Sequence, residues 1–122
     1  MKEEICAKNA PRPGGPYAQG IKAGGRIYVS GQRPARPSDN FIPPDFPSQV
    51  RQCLDNVRAV LEAGGATLED VVQVGVFLAD LDNFAAFNEV YSSYFKPPHP
   101  ARTTVGCALR GIMVEINAVA EL

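Results

Sequence analysis

Arg102 and Glu115 are the two residues of this 122-residue chain whose types and settings best suggest chemistry. Arg102 lies near the start of Ala101-Arg102-Thr103-Thr104-Val105-Gly106-Cys107-Ala108, directly after Pro100. Its planar guanidinium offers a fork of N–H donors that can grip a carboxylate through two parallel hydrogen bonds. A plain surface arginine would be spelled the same way. Glu115 stands in Val114-Glu115-Ile116, where a carboxylate among apolar neighbours is costly unless paired, hydrogen-bonded or functional. A structural ion pair and a functional group both satisfy that condition. Only Leu109-Arg110-Gly111 separates the two runs, so a hairpin is expected, with Arg102, Thr104, Glu115 and Asn117 on one face.

Other candidates carry less. Gly14-Gly15-Pro16 precedes Tyr17, but no lysine follows and no helix begins there, so its glycines serve a turn and not a phosphate cradle. Tyr17 itself reads as an ordinary half-buried aromatic. His99 is the single histidine, wedged between prolines, and no His, Cys or carboxylate cluster has ligand spacing, so neither metal nor cofactor is expected. Asn88 falls within an aromatic helical stripe and is expected to be a buried structural amide bonded to backbone. Cys53 shares a stripe with valines and leucines and belongs to the core.

The elements that must position these groups follow from periodicity. Pro11 to Gly25 suits a loop passing into a short edge strand, and Arg26 to Gln32 has the β-branched and aromatic content of a second strand. Pro34 to Pro47 holds five prolines and should run as a stiff surface connection. Val50, Cys53, Leu54, Val57, Val60 and Leu61 mark one face of a helix, with Pro47 in its first turn and Gly64 at its end. Val71 to Leu78 is almost continuously apolar and reads as the central strand, covered on both sides. Asp80 or Asp82 can cap a second helix with the stripe Phe84, Phe87, Asn88, Tyr91, Tyr94 and Phe95. The last run alternates strictly: Ile112, Val114, Ile116, Ala118 and Ala120 point toward the helices, Met113, Glu115, Asn117 and Val119 away. The order ββαβαββ predicts an α+β two-layer sandwich, a mixed sheet with both helices on one face, as a single domain over residues 1–122. The bare, partly apolar sheet face predicts a homo-oligomer.

Composition narrows the classes. Hydrophobic residues make up 45% and charged residues 20%, as in ordinary globular domains. The net charge is -1 and no basic run exists, so nucleic acid is an unexpected partner. No apolar stretch nears the roughly 20 residues that span a bilayer, and Met1 to Ala10 lacks a signal core. Three cysteines, odd in number and without a CxxC, fit a reducing compartment, so a cytoplasmic location is expected.

Seven blocks together resemble the reactive intermediate deaminase family, RidA or YjgF-like, whose older members were named translation inhibitors or endoribonucleases of the L-PSP type. They are Gly15-Pro16-Tyr17-Ala18-Gln19-Gly20, Val29-Ser30-Gly31-Gln32, Gln52-Cys53-Leu54-Asp55-Asn56-Val57, Phe77-Leu78-Ala79-Asp80-Leu81, Phe87-Asn88-Glu89-Val90-Tyr91, Pro100-Ala101-Arg102 and Val114-Glu115-Ile116. The resemblance spans nearly the whole chain and implies a chorismate-mutase-like fold. It also implies a homotrimer with pockets between subunits, where enamines and imines such as 2-aminoacrylate are hydrolysed to 2-ketoacids and ammonia. By position, Arg102 would clamp the substrate carboxylate and Glu115 would activate water. Tyr17, Ser30 and Gly31 would line the pocket, with backbone near Thr104 contacting the imine. Thr104 stands where the deaminases usually have cysteine, and the 109–111 connection is shorter than the family's. An imine carbon is already electrophilic, so orientation and one proton-transfer group suffice. Two other readings compete: an L-PSP-type endoribonuclease or translation inhibitor, and a non-catalytic sensor that binds ketoacids.

Overall fold

The computed structural model describes residues 1–122 as a six-stranded mixed sheet with two helices packed on one face. In chain order the elements are β1 (Glu3–Ile5), β2 (Gly20–Ala23), β3 (Arg26–Gln32), α1 (Phe46–Ala63), β4 (Val71–Leu78), α2 (Phe84–Tyr94), β5 (Ala101–Gly106) and β6 (Val114–Glu121). Across the sheet the strands run β1-β2-β3-β6-β4-β5, antiparallel throughout except for β4 and β5.

Helix α1 forms where its apolar spacing says it should. Asp45 caps it by accepting from the Ser48 N–H, Pro47 occupies its first turn and Gly64 closes it. Its buried stripe lies against β3 and β6, chiefly through Val50, Leu54, Val57 and Leu61, which are fully buried with Ile27, Ile116 and Val114. Asp80 caps a single 3-10 turn, Leu81–Asn83, that leads into α2. In β6 the alternation holds: Val114, Ile116, Ala118 and Ala120 are buried, while Glu115, Asn117 and Val119 face the open side.

Three expectations are corrected. The N-terminal strand β1 adds a sixth member at the sheet edge; three residues with one buried side chain, Ile5, leave almost no period to read. β4 is not the central strand, because β6 inserts between β3 and β4, and β4 is buried only on its helix side, with Val72 exposed. Nor do β5 and β6 form a hairpin. Helix α2 carries the chain over so that β5 pairs with β4 in parallel, a βαβ unit, and the seven residues 107–113 then cross beyond β4 to reach β6.

Candidate functional site

The pairing of β5 with β4 decides where Arg102 points. Val74 lies beside Arg102 and Val76 beside Thr104, and residues abreast in a sheet share a face. Both valines are buried beneath the helices, so Arg102 and Thr104 also turn to the helix side, at the sheet's outer margin. There the Arg102 guanidinium lies over Tyr91, Phe87 and Phe84, with its central carbon 4.8, 5.2 and 5.6 Å from the ring centroids. Its Nη2 donates to Asn88 Oδ1 at 2.8 Å. The rings and the amide together fix the plane of the fork, and no carboxylate neutralises it.

Asn88 therefore does something other than expected. It is half-buried, and its side-chain oxygen accepts from Arg102 and not from backbone, because the stripe of α2 that carries it faces the arginine at the sheet margin. Two hydroxyls nearby, Tyr91 Oη and Thr104 Oγ1, are buried with no hydrogen-bond partner. Burial raises the Tyr91 phenol above its usual range, with Arg102 opposing. The backbone at Thr104 is free as well. The Cys107 N–H is donated inward to the Leu78 carbonyl, so by the two-residue period the groups of Arg102, Thr104 and Gly106 face the open edge.

Glu115 stands on the other face. Its partner in register is Phe77, and its carboxylate lies flat over β3: a Cβ built on Gly31 would fall 2.3 Å from Glu115 Oε2. Gly31 sits at a break in register between Val29 and Gln32, and the missing side chain is what admits the carboxylate. Gly75 makes the same room for the amide of Asn117. Half-buried Glu115 makes no ion pair and accepts no hydrogen bond; the three ion pairs of the chain, Arg26–Glu121, Arg36–Asp39 and Arg58–Asp55, are elsewhere. Within the chain, no cation pairs with this carboxylate.

Around Glu115 a cleft of about 470 Å³ is walled by Tyr17, Arg33, Arg110 and Ile112, and a second of about 270 Å³ adjoins it through Tyr17 and Arg33. Tyr17 Oη accepts from the Gly14 N–H at 3.1 Å, which leaves its own proton for another acceptor. Ser30 does not present its hydroxyl to the cleft in the same way. Its Oγ donates to the Ala18 carbonyl at 2.6 Å and its N–H to the Gln19 carbonyl, tying the Tyr17 loop to β3. The named residues thus fall into two groups on opposite faces: Arg102, Asn88 and Thr104, and Glu115, Gly31 and Tyr17 with Ser30 behind them.

Sequence reasoning overlooked Arg33, Arg110 and the buried amide that anchors the first of them. Asn56 Nδ2 donates to the carbonyls of Arg33 and Ala35, each at 3.0 Å, from a fully buried position on α1. An amide on the apolar stripe beside Cys53, Val57 and Val60 was the available signal. No three His, Cys, Asp or Glu side chains converge, and no helix is long and apolar enough to cross a membrane.

The family model described as endoribonuclease L-PSP matches residues 7–122. The 2-iminobutanoate/2-iminopropanoate deaminase of Escherichia coli K12 is 40% identical over 125 residues, covering 98% of each chain. This chain belongs to the RidA family. Two solved members show the same fold. RidA from the Antarctic bacterium Psychrobacter sp. PAMC 21119 superposes with a TM-score of 0.95 at 36% identity, covering 98% of this chain and 99% of that one. TdcF of E. coli, solved with bound serine, gives 0.92 at 36% identity over 98% of both. The α+β sandwich is thus the RidA-family sandwich, and the two groups of residues lie on opposite sides of its sheet.

Proposed function

We propose that the chain hydrolyses reactive 2-imino acids and their enamine tautomers to 2-ketoacids and ammonia, at sites completed between copies in a homotrimer. The observation that carries this reading is Glu115: a half-buried carboxylate with neither cation nor hydrogen-bond donor is held in place by a strand glycine. The kinship with a named imine deaminase supports the reaction class, and serine bound to TdcF supports a small amino-acid-like ligand.

Arg102 and Glu115 lie on opposite faces, so one chain does not bring both to one small molecule. A neighbour that packs its edge strand β5 against the open face does. The open face is apolar enough to be covered, with Tyr28, Val105 and Met113 exposed beside Phe77 and Val119. In that arrangement Arg102 binds the substrate carboxylate through its fork, and the Thr104 N–H at the open edge donates to the same end of the molecule.

The chemistry then needs one proton carrier. An enamine first gains a proton on its terminal carbon and becomes the iminium. Glu115 takes a proton from water as the water oxygen bonds to the iminium carbon, which gives a carbinolamine. That proton passes to the amine nitrogen, the C–N bond breaks with its electron pair leaving on nitrogen, and ammonia departs. The hydroxyl proton is lost as the ketone forms. Carboxylate clamping and water placement supply the rate through proximity.

Purified protein given 2-aminoacrylate, generated in situ by a serine dehydratase, should accelerate pyruvate release. Release at the uncatalysed rate, beside an active RidA protein, would overturn the reading.

A further inference from the structure

The chain has eight arginines, and five have engaged heads: Arg26, Arg36 and Arg58 in ion pairs, Arg51 on Ser48 Oγ, and Arg102 on Asn88. The remaining three, Arg12, Arg33 and Arg110, have no side-chain partner, and all three line the adjoining clefts at Tyr17 and Glu115. Glu115 is the one carboxylate among the lining residues. Three guanidinium charges against one carboxylate leave a local excess of two positive charges in a chain whose net charge is -1. A cleft of that composition favours an anion beyond the one that Arg102 binds.

Arg33 is rooted firmly and free at its tip. The fully buried Asn56 holds its carbonyl, and the Cys53 thiol donates to the carbonyl of the preceding residue, Gln32, at 3.2 Å. A guanidinium on a fixed root loses less freedom when it binds than one on a mobile loop. Arg110 approaches from the 107–113 crossing, next to Gly111, whose φ of 70° makes the turn.

We propose that the cleft selects imino acids bearing a second acidic group on the side chain, with Arg33 and Arg110 binding that distal carboxylate. The inference rests on the hydrolase reading and sharpens its substrate class from imino acids in general to imino diacids such as 2-iminosuccinate. Arg102 of one copy takes the carboxylate next to the imine, Glu115 of its neighbour serves the reacting carbon, and Arg33 and Arg110 of that neighbour take the far end. A short acid such as 2-iminopropanoate leaves both guanidiniums unfilled.

The test compares two imines made in situ by amino-acid oxidases, 2-iminosuccinate from aspartate and 2-iminopropanoate from alanine, with ketoacid release followed for each. For the unaltered protein, kcat/KM should favour the diacid by about a hundredfold, two charge-assisted hydrogen bonds at about tenfold each. Arg33→Gln and Arg110→Gln should each cut that preference by about tenfold, because each removes such a bond. Equal rates for the two imines, or a preference unmoved by both variants, overturns the proposal while the hydrolase reading stands. If neither imine is hydrolysed, the hydrolase reading falls, and calorimetry with oxaloacetate and pyruvate still decides the selectivity. Tighter binding of oxaloacetate that Arg33→Gln abolishes supports a diacid site; indistinguishable binding overturns it.

Discussion

Arg102 and Glu115 stand on opposite faces of one sheet, with β4 lying between the strands that carry them. A site that uses both must draw them from different copies, and this gives a sharp genetic test. Arg102→Ala and Glu115→Gln should each abolish the acceleration of pyruvate release. Refolded together in equal amounts, they should regain about one quarter of the normal activity, because that share of heterologous interfaces pairs an intact arginine with an intact glutamate. Circular dichroism would show that each variant folds. A mixture as silent as its components would sink the composite site.

Gly31→Ala places a methyl group where Glu115 Oε2 now lies, 2.3 Å from the new carbon. The carboxylate must move, and an ångström of misplacement is worth roughly a hundredfold in rate. Activity should fall on that scale while the far-ultraviolet spectrum is kept. The stability loss should shrink in a Glu115→Ala background, a coupling that a double-mutant cycle in urea measures. Equal losses in both backgrounds would mean that the alanine clashes with something else.

Asn56 satisfies two carbonyls and also accepts from Gln52 Nε2 at 2.9 Å. Asn56→Ala strands all three groups, two of them carbonyls at the root of the Arg33 loop. A loss of about 2–4 kcal/mol in urea unfolding is expected, from buried polar groups left unpaired. A change below about 0.5 kcal/mol, the usual surface value, would mean that water replaces the amide without penalty.

The three cysteines should separate by reactivity. Burial pushes the Cys53 thiol well above its ordinary range, with the Glu115 charge adding to the effect, whereas Cys6 is exposed. A thiol-specific chromogenic reagent at pH 8 should titrate at most two groups in the native protein and all three in denaturant. Three fast groups under native conditions would contradict the packing around Cys53.

Much of this is legible in the sequence, and what is not escapes for physical reasons. The stripe of α1 and the alternation of β6 are periodic signals carried by many residues, and both came through. Glu115 stood out because a carboxylate in an apolar strand has few harmless explanations. The partner of β5 did not come through, since a strand's own residues say little about which neighbour it takes. The βαβ pattern of Val71 to Gly106 was the better guide than the short 109–111 spelling. The stripe of α2 predicts a core-facing amide at Asn88, but that stripe also faces the sheet margin, where Asn88 meets Arg102. The room that Gly31 and Gly75 leave for the side chains of Glu115 and Asn117 is set by neighbouring strands and has no signature in the local sequence.

The position of β4 between the two half-sites carries a consequence for handling the protein. On the proposed mechanism a solitary polypeptide holds every group the reaction calls for, yet Arg102 and Glu115 on opposite faces cannot close on one substrate. Specific activity should therefore sag on dilution and recover on concentration, so turnover would report how many subunits have found each other.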